Sequence, residues 1–364
     1  MLKDDCKIKI LFVLPSLKAG GAERVISFIA SNLDKQKFNS QLLVVGYKKD
    51  TVYETNGIEV CYLNKKRVLN AIPSLFWYIF KNKPHIVVGS ISHVNQVLAM
   101  FSFLFRKVKF IGREAGVSSV MGTYHESNRK INIPSFKNYY KYLDAVICQS
   151  KDMYEDLKIN YNVNNKNCVI INNPITNNFK LKQLSVKNKV RQYITVGTLH
   201  KRKGHERLLR LLSKVHHDFY YTIVGNGEEL KNLKHLITEL NLVNRVTHIP
   251  YTKNVSDYLS DSDVFLNGSY VEGFPNVILE SCAVGTPVIA FDAPGGINEI
   301  IVKGVNGYIF NCEDSFINML NNLAKNDTFQ PNLVSESVTS RYNKEIILDE
   351  YEKLFIKIST SVKL

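Results

Sequence analysis

Residues 8–14 read Ile-Lys-Ile-Leu-Phe-Val-Leu, and residues 18–22, Lys-Ala-Gly-Gly-Ala, form a glycine-containing turn shortly after them. The first run is almost continuously apolar, which is typical of a strand buried on both faces of a parallel sheet. Beyond the turn, residues 23–33 carry apolar side chains at helical spacing. The stretch therefore predicts a strand, a loop and a helix in that order, which is the repeating unit of an α/β fold.

The same alternation continues through the first half of the chain. Apolar runs and helical patterns predict strands at 41–46, 85–89, 109–112 and 145–148 and helices around 72–80 and 94–105. Strands that alternate with helices pair in parallel through right-handed crossovers. The first half is therefore predicted to form a Rossmann-like sheet.

A second series of strands follows a polar, lysine-rich segment around residues 172–190, which is typical of a linker. Its strands are predicted at 193–197, 220–225, 246–249, 264–266 and 288–290. A chain of 364 residues exceeds what one hydrophobic core usually supports. We therefore predict two Rossmann-like domains, residues 1–175 and 190–343. Because ligands bind beyond the carboxyl ends of strands in open α/β sheets, we expect a ligand cleft between them.

The composition is that of a globular protein and disfavours several kinds of site. The hydrophobic fraction of 45% and the charged fraction of 22% are ordinary. The six cysteines include no Cys-x-x-Cys pair, which argues against a zinc site or a disulfide framework and favours reduced thiols. The first residues lack the pattern of a signal peptide, and no apolar stretch approaches the roughly 20 residues of a membrane span. We expect a cytoplasmic protein.

The net charge of +14 is concentrated in the first half of the chain. Residues 1–172 carry 25 basic and 13 acidic residues, a net +12, whereas residues 173–364 carry a net +2. Such asymmetry indicates an anionic partner. No known nucleic-acid-binding module is present, so we favour an anionic membrane surface, contacted by Lys65-Lys66-Arg67 and the apolar residues 75–78. Lysines that merely solvate the surface explain the charge equally well.

Two glutamates bracket the stretch that is most informative about function, residues 271–280, Val-Glu-Gly-Phe-Pro-Asn-Val-Ile-Leu-Glu. Pro275 suits the first position of a helix, so Glu272 is predicted in the loop before that helix and Glu280 inside it. A helix-dipole effect accounts for Glu272 but not for Glu280. The carboxyl pair of a retaining glycosidase, about 5 Å apart, is disfavoured because this spacing suits a longer ligand.

This stretch resembles the Glu-x7-Glu signature of the retaining glycosyltransferases of family 4, the group 1 glycosyltransferases. The resemblance implies the GT-B fold, in which two Rossmann-like domains face each other across a cleft, with a last helix, here about residues 344–364, packing back on the first domain. It also implies that Glu272 hydrogen-bonds hydroxyls of the transferred sugar and that Glu280 binds the ribose hydroxyls. Residues 274–276 would line the sugar and phosphates: Phe274, Pro275 and Asn276.

Residues 196–204, Val-Gly-Thr-Leu-His-Lys-Arg-Lys-Gly, resemble the family's Gly-Arg-Leu-x-x-x-Lys-Gly element, whose arginine and lysine hold the leaving diphosphate. Cations are needed there because negative charge develops on the departing phosphate oxygen. Lys203 matches the lysine, whereas Thr198 occupies the arginine position, so Arg202 or Lys201 would supply the missing charge. We assign Lys203 and Arg202, together with Glu272, as catalytic and Gly197 as donor-binding. A basic loop exposed to solvent is the alternative.

Several other short motifs resemble elements of the family. Gly20 and Gly21 begin a Gly-Gly-Ala-Glu-Arg sequence that in relatives touches the donor diphosphate and the acceptor, although a strand–helix turn often needs glycine anyway. Gly225 lies in a Gly-x-Gly sequence that resembles the turn near the nucleotide in relatives, although a tight turn explains it equally well. Tyr251 follows a predicted strand at a position where relatives contact the base, on which its ring would stack. Gly296 belongs to a Gly-Gly-x-x-Glu loop that borders the cleft.

In the first domain, Gly112-Arg113-Glu114 ends a predicted strand where relatives have a histidine or an acidic residue near the anomeric carbon. We assign Glu114 to orienting the acceptor or assisting proton transfer. A buried salt bridge with Arg113 is equally consistent with this sequence.

Neither a metal nor a cofactor is expected. The nine histidines form no ligand cluster, and the Asp-Ser-Asp of residues 261–263 precedes a strand instead of following one. We therefore expect metal-independent transfer, with the nucleotide sugar as a substrate.

The resemblance thus implies a retaining transferase that moves a sugar from a nucleotide-diphosphate sugar, in our interpretation a UDP-sugar, to a lipid-linked or saccharide acceptor of surface polysaccharide biosynthesis. We expect it at the inner face of the cytoplasmic membrane. A UDP-sugar 2-epimerase of the same fold and a non-enzymatic basic nucleic-acid-binding protein are alternatives. A nicotinamide dehydrogenase is disfavoured because the first turn lacks Gly-x-Gly-x-x-Gly.

Overall fold

The structure is a computed structural model, and it describes residues 7–53, 55, 57–121, 123, 138–163, 167–183, 190–325 and 329–361. These residues form two compact units. The first unit contains the described residues of 1–119, 126–176 and 344–364, and the second contains those of 120–125 and 177–343.

The first unit is built on a sheet of seven parallel strands. They are β1 (Ile8–Leu14), β2 (Phe38–Val44), β3 (Glu59–Tyr62), β4 (Ile86–Ser90), β5 (Lys109–Arg113), β6 (Ala145–Cys148) and β7 (Cys168–Ile170), in the order β3-β2-β1-β4-β5-β6-β7. Its helices are α1 (Gly21–Asn32), α2 (Val68–Asn82), α3 (Ser92–Phe101), α4 (Ser118–Met121) and α5 (Lys151–Tyr161). The strands β1 and β4 lie in the middle, where helices cover both faces, and this is why their residues are nearly all apolar.

The second unit repeats this plan with six parallel strands. They are β8 (Arg191–Val196), β9 (Phe219–Val224), β10 (Val246–Ile249), β11 (Val264–Asn267), β12 (Val288–Phe291) and β13 (Gly307–Phe310), in the order β10-β9-β8-β11-β12-β13. Its helices are α6 (His205–Leu212), α7 (Leu230–Glu239), α8 (Val255–Ser260), α9 (Asn276–Ala283), α10 (Ile297–Ile300), α11 (Glu313–Lys325) and α12 (Pro331–Tyr342). The two central strands, β8 and β11, bring the loops that follow them side by side.

The last helix, α13 (Lys344–Thr360), belongs to the first unit although it follows the second in the chain. The ring of Phe355 packs edge-on against that of Phe12 in β1, with centroids 6.0 Å apart. The hydroxyl of Tyr351 accepts a hydrogen bond from Nε of Arg113 at 3.1 Å. These contacts make α13 part of the core of the first unit.

The α/β class with two parallel sheets that the sequence predicts is confirmed. Three strands were not predicted: β3, β7 and β13. Each lies at an edge of its sheet and has at most one buried residue, so none forms the continuous apolar run by which a central strand is recognised.

Candidate active site

Four loops of the second unit meet at one edge of its sheet. They follow the adjacent strands β9, β8, β11 and β12 and comprise residues 225–229, 197–204, 268–275 and 292–296. The carboxyl ends of parallel strands lie at the same edge, which is where ligands bind in open α/β sheets. Most of the predicted site residues of the second half, including Gly197, Lys203, Glu272 and Gly296, lie in these loops.

Glycines allow these loops to pack backbone against backbone. Gly225 has φ +144°, and a Cβ there would lie 1.9 Å from the carbonyl oxygen of Gly197. Gly204 has φ +63°, and its Cβ would lie 1.9 Å from the carbonyl oxygen of Gly268. No other residue type fits either position without moving backbone. In contrast, a Cβ on Gly197 would meet nothing within 4 Å, so this backbone segment is open to an approaching group.

The centre of this edge is an ion pair between Lys203 and Glu272. Lys203 Nζ lies 2.6 Å from Oε1 and 2.8 Å from Oε2 of Glu272, so one ammonium group donates to both carboxylate oxygens. The side chain of Glu272 is 7% exposed and that of Lys203 is 18% exposed. The pair joins the loop after β8 to the loop after β11, which are 69 positions apart in the sequence.

Ser269 holds the carboxylate of Glu272 from the other side. Its Oγ donates a 2.6 Å hydrogen bond to Oε1 of Glu272, three residues later in the same loop. Ser269 is not among the site residues predicted from the sequence. Its position between the end of β11 and Glu272 is a weak signal, because a serine in a turn needs no ligand to explain it.

The pKa of Glu272 is lower than that of an ordinary glutamate. Burial acts to raise it, but the charge and hydrogen bonds of Lys203, the hydrogen bond from Ser269 and the charge of Arg202 together outweigh burial. Glu272 is therefore ionised at neutral pH and can only accept hydrogen bonds. A buried carboxylate of this kind suits the recognition of hydroxyl groups.

The loop that carries Glu272 is fixed to the loop after β12. The backbone N–H of Glu272 donates to the carbonyl of Pro294 at 2.9 Å, and the N–H of Gly296 donates to the carbonyl of Gly273 at 2.7 Å. The ring of Phe274 is buried against Gly296, where a Cβ would lie 2.2 Å from the ring, and against Tyr342. Phe274 and Gly296 thus position the loop through packing, and a ligand contact of either residue stays a prediction.

The structure corrects one detail of the Glu272–Glu280 stretch. We predicted Pro275 at the first helical position, but α9 begins at Asn276 and Pro275 is its N-cap, with ψ 100°. The carbonyl of Pro275 still accepts the first intrahelical hydrogen bond, from the N–H of Ile278 at 3.0 Å. The proline therefore precedes the helix by one residue because its ψ is extended. Glu280 lies inside α9, as predicted, and the structure shows that it is buried there.

The loop after β8 contains Thr198, which occupies the position of the family's diphosphate-binding arginine. Residues 201–203 form a short 3-10 turn, in which the carbonyl of Arg202 accepts a hydrogen bond from the N–H of Tyr270 at 2.8 Å. Arg202 lies close enough to Glu272 to contribute to its low pKa. Arg202 therefore places positive charge near the carboxylate of Glu272, whereas Thr198 has no charge. A role for Arg202 in catalysis stays a prediction.

His205, the first residue of α6, is a further buried group that is not among the predicted site residues. It is 3% exposed, and its Nε2–H donates to the carbonyl of Thr198 at 3.3 Å. Burial lowers its pKa to about 4, so the ring is neutral at neutral pH. His205 thereby anchors the loop that carries Lys203 without adding charge to it.

We expect the pKa of His205 to make stability depend on pH. Unfolded histidine titrates near pH 6.5 and the folded residue near pH 4, so on acidification the unfolded chain takes up the proton first. This contribution is complete above pH 6.5 and is lost between pH 6.5 and pH 4, by up to about 3 kcal/mol. Urea unfolding at several pH values measures the loss.

His205→Asn keeps a donor for the carbonyl of Thr198 but does not titrate, so its stability should fall less between pH 6.5 and pH 4. The exposed His216 provides the matched control, because His216→Asn should keep the slope of the unmodified protein. An unchanged slope in His205→Asn would contradict the assignment.

The remaining predicted residue of the second half, Tyr251, follows β10. It is 57% exposed, so its ring is accessible for stacking. The carbonyl of Gly225, in the neighbouring loop, accepts a 2.8 Å hydrogen bond from Nε2 of His248. Base stacking by Tyr251 stays a prediction.

In the first unit, the predicted glycines lie at the turn between β1 and α1. Gly20 is the N-cap of α1 and Gly21 its first residue. The hydroxyl of Tyr53 accepts from the N–H of Gly20 at 2.7 Å and donates to its carbonyl at 2.8 Å. A donor or acceptor contact at this turn stays a prediction.

Glu114 lies in a buried hydrogen-bond network of the first unit. Its carboxylate accepts hydrogen bonds from Asn95 at 2.8 Å, from Ser92 and Tyr139 at 2.9 Å and from Ser118 at 3.4 Å. The alternative of a buried salt bridge with Arg113 is not what the structure contains, because Arg113 instead donates to Asn173 at 2.6 Å and to Tyr351. Contact of Glu114 with an acceptor stays a prediction.

Over the part of the chain that the structure describes, no group of three or more His, Cys, Asp or Glu side chains is placed to hold a metal ion.

Comparison with known proteins identifies the family. Residues 19–178 match the family model described as Glycosyltransferase Family 4, and residues 177–337 match the model described as Glycosyl transferases group 1. An uncharacterised glycosyltransferase of Haemophilus influenzae is 27% identical over 321 residues, which are 84% of this chain and 86% of the relative.

Two named proteins are also similar over most of their length. An N-acetylgalactosamine-N,N'-diacetylbacillosaminyl-diphospho-undecaprenol 4-alpha-N-acetylgalactosaminyltransferase of Campylobacter jejuni is 26% identical over 317 residues, 80% of this chain and 83% of the relative. The crystal structure of Anabaena HepE in complex with UDP and glucose has a TM-score of 0.80 at 20% identity and covers 96% of this chain and 100% of its own.

The likeness to HepE shows that the two parallel α/β units are those of the GT-B fold. The two family models match consecutive parts of the chain and together run from residue 19 to residue 337. The chain therefore belongs to the group 1 glycosyltransferases of glycosyltransferase family 4 and is a sugar-transferring enzyme.

Proposed function

We propose that this enzyme is a retaining hexosyltransferase that moves a sugar from a UDP-sugar to a lipid-linked saccharide in the biosynthesis of a surface polysaccharide such as O-antigen or capsule. The observation that carries the proposal is the ion pair of Lys203 and Glu272 at the carboxyl edge of the second sheet. HepE was solved with UDP and glucose, which supports the donor class. The Campylobacter jejuni relative is named for a diphospho-undecaprenol-linked substrate, which supports the acceptor class.

In this proposal, donor binding exchanges the partners of the ion pair. The diphosphate of the donor competes with Glu272 for the ammonium group of Lys203, because both are anions within reach of one cation. Glu272, which is ionised, then accepts hydrogen bonds from hydroxyls of the sugar, while Ser269 keeps its carboxylate in place. The same two side chains thereby stabilise each other before the donor arrives and bind it afterwards.

Charge that develops on the leaving diphosphate is stabilised by Lys203 and Arg202. Preorganised cations at such a position contribute to the transition state because they need no reorganisation when the bond breaks. No divalent metal takes part in the proposed reaction. Glu280 binds the ribose hydroxyls, Tyr251 stacks on the base, and Glu114 orients the acceptor.

The enzyme is further proposed to act in the cytoplasm, attached peripherally to the inner face of the cytoplasmic membrane, where a lipid-linked acceptor is presented. The net +12 of residues 1–172 supports attraction to an anionic leaflet. Across the residues that the structure describes, no helix combines the length and the apolar character needed to cross a bilayer.

The donor class is tested by thermal unfolding with UDP, GDP and their sugars. A ligand at a hundred times its dissociation constant stabilises the folded state by about 2.7 kcal/mol, so UDP is expected to raise the melting temperature and GDP is not. Turnover of UDP-sugars with a lipid-linked saccharide then identifies the sugar. The anomeric configuration of the product reports retention, and turnover in EDTA reports metal independence.

Each part of the proposal has an outcome that contradicts it. Stabilisation by GDP alone contradicts the UDP donor, an inverted product contradicts retention, and complete inactivation by EDTA contradicts metal independence. Conversion of the donor without any acceptor would instead indicate a UDP-sugar 2-epimerase.

A further inference from the structure

A cluster of exposed apolar side chains lies on the first unit, away from its predicted acceptor turn. We name it the aromatic ledge and define it by five residues that are each 51–64% exposed: Trp77, Phe80, Met100, Phe103 and Leu104. Single exposed apolar residues are ordinary, but a contiguous group of them marks a surface that contacts something other than water. We therefore expect the ledge to contact a partner.

Rings of α2 and of the end of α3 pack against one another beside the ledge. Phe76 of α2 contacts Trp77 and Phe80 on its own helix, with ring centroids 6.1 Å and 6.3 Å apart. It also contacts Phe101 at 6.0 Å and Phe105 at 5.0 Å, at the end of α3 and in the turn that follows. The rings of Trp77 and Phe80 thus belong to a packed group, and the ring of Phe103 packs against that of Tyr142, with centroids 4.7 Å apart.

The segment of the sequence that forms the ledge is basic. Residues 60–113 contain nine lysines and arginines and no aspartate or glutamate. Four exposed cations directly flank the ledge in sequence: Lys81, Lys83, Arg106 and Lys107. None of these four forms an ion pair within the described part of the chain, whereas Lys109 is paired with Asp144 at 3.4 Å.

This surface differs from the one that the sequence suggested. We expected membrane contact through Lys65-Lys66-Arg67 and residues 75–78, but Leu75 is fully buried and only Trp77 of that run is exposed. Arg67 precedes the first turn of α2, ten residues from Trp77, which is about 15 Å along a helix. The cations that accompany Trp77 are those at the end of α2 and after α3.

We propose that the aromatic ledge docks the first unit on an anionic lipid bilayer, with its rings and Leu104 inserted among the headgroups and its four flanking cations against lipid phosphates. Tryptophan and phenylalanine with a basic surround are the composition of interfacial membrane contacts. This inference rests on the peripheral attachment included in the proposed function and names its surface. It does not depend on which sugar is transferred.

A second copy of the chain suits the ledge less well than lipid. Most homodimers are isologous, so the ledge would face an identical surface. Each copy would bring the same four exposed cations to that contact, and like-charge contacts of this kind disfavour association. An anionic surface provides the complementary charge.

The position of the ledge leaves the predicted acceptor turn uncovered. Lys83 lies shortly before β4 and Leu104 shortly before β5, so the ledge is at the amino edge of the first sheet. Gly20 and Gly21 follow β1 at the carboxyl edge. A bilayer on the ledge therefore does not cover that turn.

The chain contains a single tryptophan, Trp77, which makes the ledge directly observable. We expect vesicles of phosphatidylcholine with phosphatidylglycerol to shift its emission to shorter wavelength and lipids with brominated acyl chains to quench it. Vesicles of phosphatidylcholine alone should do so weakly, and added salt should reverse the shift because the attraction is partly electrostatic.

Two variants and two matched controls separate apolar from electrostatic contact, with vesicle flotation as the second readout. Phe80→Ser/Phe103→Ser/Leu104→Ser keeps Trp77 as the fluorescent probe. It should weaken vesicle binding on the order of a hundredfold. Lys81→Glu/Lys83→Glu should weaken vesicle binding at least about 30-fold, since each lysine near an anionic surface raises the membrane affinity about fivefold. The apolar control is Ile159→Ser/Val243→Ser, at comparably exposed positions outside the ledge. The charge control is Lys231→Glu/Lys234→Glu on α7. Both controls should bind vesicles like the unmodified protein.

The proposal is wrong if anionic vesicles leave the emission of Trp77 unchanged, or if the control variants lose binding as much as the ledge variants. A blue shift without lipid that grows with protein concentration would assign the ledge to a second copy. If the protein binds vesicles but does not turn over UDP-sugars, the proposed function is contradicted, whereas the proposal that the ledge docks on a bilayer still holds.

Discussion

Lys203→Met is expected to lower kcat for sugar transfer by about two to three orders of magnitude, as the loss of one preorganised charge at a transition state typically does. The substitution keeps most of the side-chain volume and removes the ammonium group that donates to both oxygens of Glu272. It should also lower the free energy of unfolding by about 3–5 kcal/mol, because Glu272 remains as a buried carboxylate without its cation. Initial rates with saturating donor and urea unfolding measure the two effects.

The double variant Lys203→Met/Glu272→Gln separates catalysis from stability. It contains neither charge, so the desolvation cost disappears, and the free energy of unfolding should return close to that of the unmodified protein. Ser269 can still donate a hydrogen bond to the side-chain amide oxygen of the introduced glutamine, which keeps the loop in place. Transfer should remain absent, since neither the diphosphate nor the sugar hydroxyls find their partner.

An exposed ion pair of the same unit provides the matched control. Lys214 Nζ lies 2.9 Å from Glu313, with 57% and 45% of the side chains exposed. Exposed pairs contribute little, so Lys214→Met should change the free energy of unfolding by less than about 1 kcal/mol and leave transfer unchanged. Recovery of transfer in the Lys203→Met/Glu272→Gln protein would show that the pair is only structural.

The strands in the middle of each sheet could be predicted from the sequence because burial on both faces imposes a continuous apolar run. Residues 8–14 and 145–148 are such runs, and β1 and β6 have the predicted bounds. Edge strands are not subject to this constraint. The strand β3, Glu-Val-Cys-Tyr, has no fully buried residue, so its pairing with β2 depends on backbone hydrogen bonds that leave no mark on composition.

The partner of each site residue could not be predicted in the same way. The sequence predicts Lys203 and Glu272 in loops after strands, and the family resemblance assigns them to different parts of the donor. Their direct contact depends on β8 and β11 being neighbours, although the strands β9 and β10 and the helices between them separate the two in the chain. Strand order is a property of the assembled sheet and cannot be predicted from the local pattern of residues.

Gly225→Ala should unfold or severely destabilise the enzyme, whereas Gly197→Ala should not. At Gly225 a methyl group would lie 1.9 Å from the carbonyl oxygen of Gly197, and φ is +144°. Backbone strain and overpacking of this degree together cost at least about 3 kcal/mol. At Gly197 the methyl group would meet nothing within 4 Å, so the free energy of unfolding should change by less than about 0.5 kcal/mol.

The two glycines therefore form a matched pair, one on each side of a single backbone contact. Gly197→Ala places its methyl group in the open space beside the end of β8, where the proposed donor brings its phosphates to the backbone. We expect KM for the donor to rise about tenfold or more, as one misplaced methyl group typically causes, while the melting temperature without donor stays unchanged. Equal loss of stability in both variants would contradict the loop geometry, and an unchanged KM in Gly197→Ala would mean that the phosphates do not approach β8 there.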